Sequence, residues 1–100
     1  MTYLDLAAEE IRRRVPEGLL PDGDTDLLFR LYAVLLLAKG ADVTTADVHN
    51  AWSVWMQTTQ PDHPSLRPFD KLDPKTQAAD EPYVEAIAAA SRVETLRPSG

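Results

Sequence analysis

The chain has 100 residues, no cysteine, 8 prolines against 4 glycines, and 16 acidic against 10 basic residues, for a formal net charge of −6. A chain of this length makes one domain with a modest core, because folding at this size removes only about two thirds of the unfolded surface from water. Its composition excludes a disulfide framework, a thiolate metal site and a Cys nucleophile, and 44% hydrophobic with 26% charged residues are ordinary globular values.

Thr2 followed by Asp5 has the form of a capping box, and Leu4, Ala7, Ala8, Ile11 and Val15 recur at helical spacing, so a first helix is expected over 3–14. Its last turn holds Arg12-Arg13-Arg14, where exposed carbonyls favour cations. Val15-Pro16 ends it. Glu9, Glu10 and Glu17 surround this one basic cluster, so contact with a nucleic acid backbone is not expected. Pro16 to Thr25 reads as a loop. Asp24 or Thr25 caps a second helix over 26–38, with Gly40 as its C-terminal cap. This helix shows no polar stripe: Leu27, Leu28, Phe29, Leu31, Tyr32 and Val34 to Leu37 occupy every side, which predicts burial all round, as a central helix or as the seam of an oligomer. Its apolar run, Leu31 to Ala38, falls far short of the roughly 20 residues that span a bilayer, and the acidic N-terminus does not resemble a signal peptide, so no membrane association is expected.

A third helix over 45–58 starts from a Thr cap with Asp47 in its first turn. Val48, Trp52 and Trp55 form one face, and His49, Ser53 and Met56 lie beside it. From 59 to 74 four prolines, Pro61, Pro64, Pro68 and Pro74, forbid a helix interior, yet Leu66, Phe69 and Leu72 are costly to leave in water. An ordered Pro-rich loop pinned to the core follows. Asp73 and Pro74 open a short helical turn over 74–79, and Asp80 with Pro82 repeats the signal for a last helix over 82–94. The expected architecture is all-α, a single helical domain over 1–94 with about four main helices and a frayed tail over 95–100.

For chemistry, the two histidines offer little by spacing. A zinc site needs three or four ligands, with helical pairs at i, i+4, and His49 and His63 meet neither condition. The scattered serines have no glycine-flanked elbow, and the glycines form no phosphate loop. No catalytic residue, metal or cofactor is therefore expected.

His49-Asn50-Ala51-Trp52 on a helix, followed by His63-Pro64-Ser65-Leu66-Arg67-Pro68-Phe69-Asp70-Lys71-Leu72, resembles the two strongest motifs of the ryanodine-receptor repeat domain. That pattern is His-x-x-Trp, then His-Pro-x-Leu-x-Pro-Tyr-x-x-Leu, then an acid opening a further helix, which Asp80 matches. The likeness covers about residues 47–90, with Phe69 in place of Tyr and without the usual Gly-Trp loop between the motifs. The whole sequence also looks like a small family of actinobacterial and actinophage proteins. The resemblance implies a non-enzymatic helical interaction module of the cytoplasm, in a bacterial cell or a phage-infected host. Such a module binds a host protein or associates with itself. The alternative is a small, nucleotide-like ligand held in a cleft between helix 45–58 and loop 59–74. Candidate contact residues are His49, Trp52, Met56, His63, Arg67, Asp70 and Tyr83, and a hydrolase or metalloenzyme ranks behind both readings.

Overall fold

The computed structural model describes residues 2–21 and 23–93, and among these the chain is helical with no strand. Helix α1 (Tyr3–Arg14) begins in the capping box expected: Asp5 N–H donates to the Thr2 hydroxyl, and the Asp5 carboxylate accepts from Thr2 N–H. Those Thr2 donors hold the Asp5 carboxyl below its ordinary range. The arginine triple serves the helix end. Arg13 and Arg14 pair with Glu10, and Arg12 pairs with Asp26 while its guanidinium lies 4.7 Å from the Phe29 ring centre.

Helix α2 (Asp26–Lys39) follows a loop that contains a 3-10 turn at Glu17–Leu19. Of its two candidate caps, the side chain at work is Asp24, whose carboxylate accepts from Asp26 N–H at 3.0 Å; the Thr25 side chain makes no cap bond. Gly40 ends the helix at φ +55°, a conformation glycine adopts without steric penalty. Helix α2 packs against α1, against α3 (Thr45–Thr59) and against α5 (Glu81–Ala90), which makes it the centre of the assembly. Its burial is nevertheless one-sided. Leu28, Phe29, Tyr32, Ala33 and Leu36 are buried, while Leu27, Val34 and Leu37 remain 44%, 51% and 43% exposed. Within one chain, the reading of a central helix wrapped on all sides is thus corrected: among the described residues α1, α3 and α5 cover only part of a helical cylinder and leave the sector of Leu27, Val34 and Leu37 open to solvent.

Helix α3 carries a second capping box, Thr44 with Asp47, and Asp47 also takes the Lys39 ammonium at 3.0 Å. Burial pushes the Asp47 carboxyl up, but Lys39 and the Thr44 donors outweigh it and leave it below its ordinary range. The third helix extends one residue past the expected end, to Thr59, and Trp55 Nε1–H reaches back to the Asp24 carbonyl. Loop 60–73 then runs through a 3-10 turn at Phe69–Lys71, and Asp73 caps the short α4 (Pro74–Ala78) as its sequence implies.

Helix α5 differs from expectation at both ends. Asp80 sits at its N-cap position in a helical conformation and makes no capping bond with its side chain. The helix stops at Ala90 rather than 94, because the Ser91 hydroxyl donates to the Ala88 carbonyl and the next amides, Arg92 and Val93, turn back by three residues instead of four. Val93 folds onto the core, and the tail 95–100 lies outside the described residues. Buried side chains from α1, α2, α3 and α5 form one apolar cluster, with Phe29 and Tyr32 among its largest members. No helix of the described residues is long and apolar enough to cross a membrane.

Candidate functional site

The two sequence motifs meet in space. Helical spacing places His49 and Trp52 on the flank of α3 that faces loop 60–73, and His49 is buried there. Its Nε2 donates to the Arg67 carbonyl at 2.7 Å, since a carbonyl can only accept. The His49 ring stacks on Trp52 at 5.6 Å between centres and lies 6.0 Å from Phe69. Trp52 in turn meets His63 edge to face at 5.0 Å, and His63 Nδ1 accepts from Ser65 N–H, closing a turn of the loop. From the other side the Gln77 amide donates to the carbonyls of Phe69 and Leu72. Side chains of α3 and α4 thus satisfy backbone groups that the prolines prevent from pairing along a regular element.

This geometry does not make His49 a base for Ser53. The Ser53 hydroxyl lies 3.4 Å from Nε2, but Nε2 directs its proton at Arg67, and the Ser53 proton goes to the His49 carbonyl at 2.8 Å. An activated nucleophile needs a free lone pair facing its hydroxyl. Among the described residues no three His, Asp or Glu side chains converge as ligands for a metal.

Beside the His49–Trp52 stack a cavity of about 310 Å³ opens between α3, the α4–α5 junction and the Leu19–Pro21 segment. Tyr32, His49, Trp52 and Tyr83 supply its rings, with Ser65, Thr76 and Asp80 as polar members. The Tyr83 hydroxyl donates to the Leu19 carbonyl, and Tyr83 packs on Tyr32 at 5.5 Å between ring centres. Asp80 is the unusual group. Half-burial lifts its carboxyl to about 6, with His49 pulling weakly the other way, and its charge in turn raises the Tyr83 and Tyr32 hydroxyls beyond what their own burial does. Its carboxylate makes no ion pair among the described residues, and no Lys or Arg lines the cavity. A larger groove of about 640 Å³ lies between α1 and α2, where four of its five charged residues pair as Arg12–Asp26 and Arg30–Asp5.

An unpaired, half-buried carboxylate is a cost to the fold. The unfolded chain releases this proton near pH 4 and the folded chain near 6, so ionisation destabilises the fold as pH rises across that window, and the penalty is complete above it. Discounted for surrounding solvent, it amounts to on the order of 1 kcal/mol. Asp80→Asn is therefore expected to raise the midpoint of thermal unfolding by several degrees at pH 8 and to leave it unchanged at pH 4. An equal gain at both pH values would mean that the amide acts through packing instead.

Of the residues singled out by sequence, His49, Trp52 and Tyr83 line the cavity. Met56 packs on the apolar core, and His63 stands behind Trp52 in the loop. Arg67 is exposed and contributes its carbonyl, not its guanidinium; Asp70 is exposed and forms no ion pair with Arg67. The other seven lining residues are not among the sequence candidates; of these, Asp80 has the pattern of a helix cap, Tyr32 of core and Ser65 of loop. One signal was available, since Asp80 and Tyr83 stand at i, i+3, which brings an acid and a ring to the same side of a helix start.

These features define a small all-α domain with an aromatic cavity beside its central helices. The chain belongs to a family of domains of unknown function, DUF7701, whose profile matches residues 2–92. No curated protein and no solved structure matches it.

Proposed function

We propose that this chain is a non-catalytic binding module that holds a small ligand in the cavity between α3 and the α4–α5 junction. The observation that carries the reading is Asp80: an ionisable group kept half-buried, without a partner, among four aromatic rings, at a cost to stability. Perturbed groups of this kind concentrate at functional sites. A cavity of this size lies at the lower end of those that take small molecules. The likeness of the His49 and His63 motifs to the ryanodine-receptor repeat supports binding rather than catalysis.

Self-association through the outer face of α2 is the competing reading, supported by the exposure of Leu27, Val34 and Leu37. The patch is small for the purpose. Three half-exposed aliphatic side chains present on the order of a few hundred Å², as many monomers do, against about 800 Å² contributed by each partner of a standard interface.

A fragment screen followed by amide chemical shifts separates the two. Hits that move His49, Trp52, Asp80 and Tyr83 together are the expected result. Concentration-dependent shifts confined to Leu27, Val34 and Leu37, with a dimer in sedimentation, would replace the ligand reading with self-association.

A further inference from the structure

We infer that the cavity beside α3 is selective for a small organic cation, an ammonium group carried on a compact apolar or aromatic body, with Asp80 as its counter-ion. The inference rests on the ligand-binding reading above and adds the charge and shape of what is bound.

Three observations point the same way. Among the described residues the lining contains one carboxylate and no Lys or Arg, so a phosphate or carboxylate ligand would enter a field of its own sign. Asp80 is half-buried and lines the cavity together with His49, Trp52, Tyr32 and Tyr83, so its carboxylate shares one concavity with these rings. Trp52 and Tyr83 line the same cavity as Asp80, and a ring face within about 6 Å of a bound cation attracts it. His49 adds no competing donor from Nε2, whose proton is committed to the Arg67 carbonyl. The volume sets the size. At about 310 Å³ the cavity lies at the lower end of small-molecule sites, a size that suits a compact ligand such as an arylalkylamine.

The mixed character of the other lining residues fits such a ligand. Leu19, Pro21 and Ala79 give apolar surface for its body, and Ser65 and Thr76 offer hydroxyls to the remaining ammonium protons. Among the described residues no Lys or Arg pairs with Asp80, so a ligand that supplies a cation relieves the penalty of burying the charge.

The test uses three probes of one shape and different charge: benzylammonium, benzyl alcohol and benzoate, titrated at about pH 7.5 while the Trp52 indole N–H and the Asp80 and Tyr83 amides are followed by NMR. Benzylammonium is expected to bind at least tenfold more tightly than benzyl alcohol, with benzoate weakest. In Asp80→Asn that advantage disappears, and in Asp70→Asn, an exposed acid outside the cavity, it persists. Should benzyl alcohol or benzoate match benzylammonium at these residues, or Asp80→Asn leave the preference intact, cation selectivity is overturned while the cavity remains a ligand site. If none of the three probes moves these residues at millimolar concentration, both readings fall.

Discussion

Phe29→Ala is expected to lower the free energy of unfolding by about 3–5 kcal/mol. Phe29 is fully buried on α2, meets Tyr32 edge to face at 5.6 Å, and lies under the Arg12 guanidinium. Truncation removes the transfer energy of the ring, leaves a cavity where α1 and α2 meet, and strips the stacking partner from Arg12. For a domain whose whole stability is about 5–15 kcal/mol, this is a large fraction. The informative comparison is Leu27→Ala, two residues away on the same helix and 44% exposed, which should cost about 0.5 kcal/mol or less. Urea denaturation of the pair tests the one-sided burial of a helix whose sequence is apolar on every side. Equal losses would show that α2 is covered on both faces in solution, as an oligomer would require.

His49→Ala is expected to cost about 2–3 kcal/mol and, more tellingly, to release loop 60–73 before the rest of the fold. The substitution leaves the Arg67 carbonyl without its donor and removes the ring between Trp52 and Phe69. An unsatisfied buried acceptor costs about 1–3 kcal/mol, and the lost ring contacts add to it. Because the four helices that build the core keep their contacts, the weakened element is the loop, whose opening becomes a local event. Tryptic cleavage after Lys71, which lies in that loop, should accelerate at least tenfold under native conditions. A variant that is destabilised globally but cut at the original rate would contradict the role of His49 as the clasp of the loop.

Helix positions were legible where local chemistry decides them. Both capping boxes, Thr2 with Asp5 and Thr44 with Asp47, and the Asp73 cap of α4 follow from hydrogen bonds three residues apart, a reach that the sequence displays directly. The ordered loop was legible too, because Leu66, Phe69 and Leu72 among prolines conflict with solvent exposure. The last helix ends at Ala90, short of the expected 94, since the alanine-rich run continues into residues with no strong breaker, and only the Ser91 hydroxyl bond and the return of Val93 to the core end it.

The candidate site was half legible. His49 and Trp52 declared themselves by spacing on α3, but Arg67 and Asp70, read as contact side chains, point to solvent, and the cavity finds its acid in Asp80. The reason is physical. A proline loop fixes its path by backbone bonds, so the atom of Arg67 that matters is a carbonyl, which any residue except for its backbone geometry would supply equally.

By itself the sequence determined which segments are helical, the caps at Thr2, Thr44 and Asp73, the anchored loop and the absence of thiol chemistry, because each depends on residue type and on neighbours within a turn or two. A charge of −6 and a small core said nothing about where one acid would lose its solvent. Tertiary structure alone decided that Asp80, nominally a cap, stands among rings drawn from α2, α3 and α5, and that α2 keeps one apolar side in water. Burial and electrostatic environment are set by which elements cross at a point, and that is a property of packing rather than of any segment.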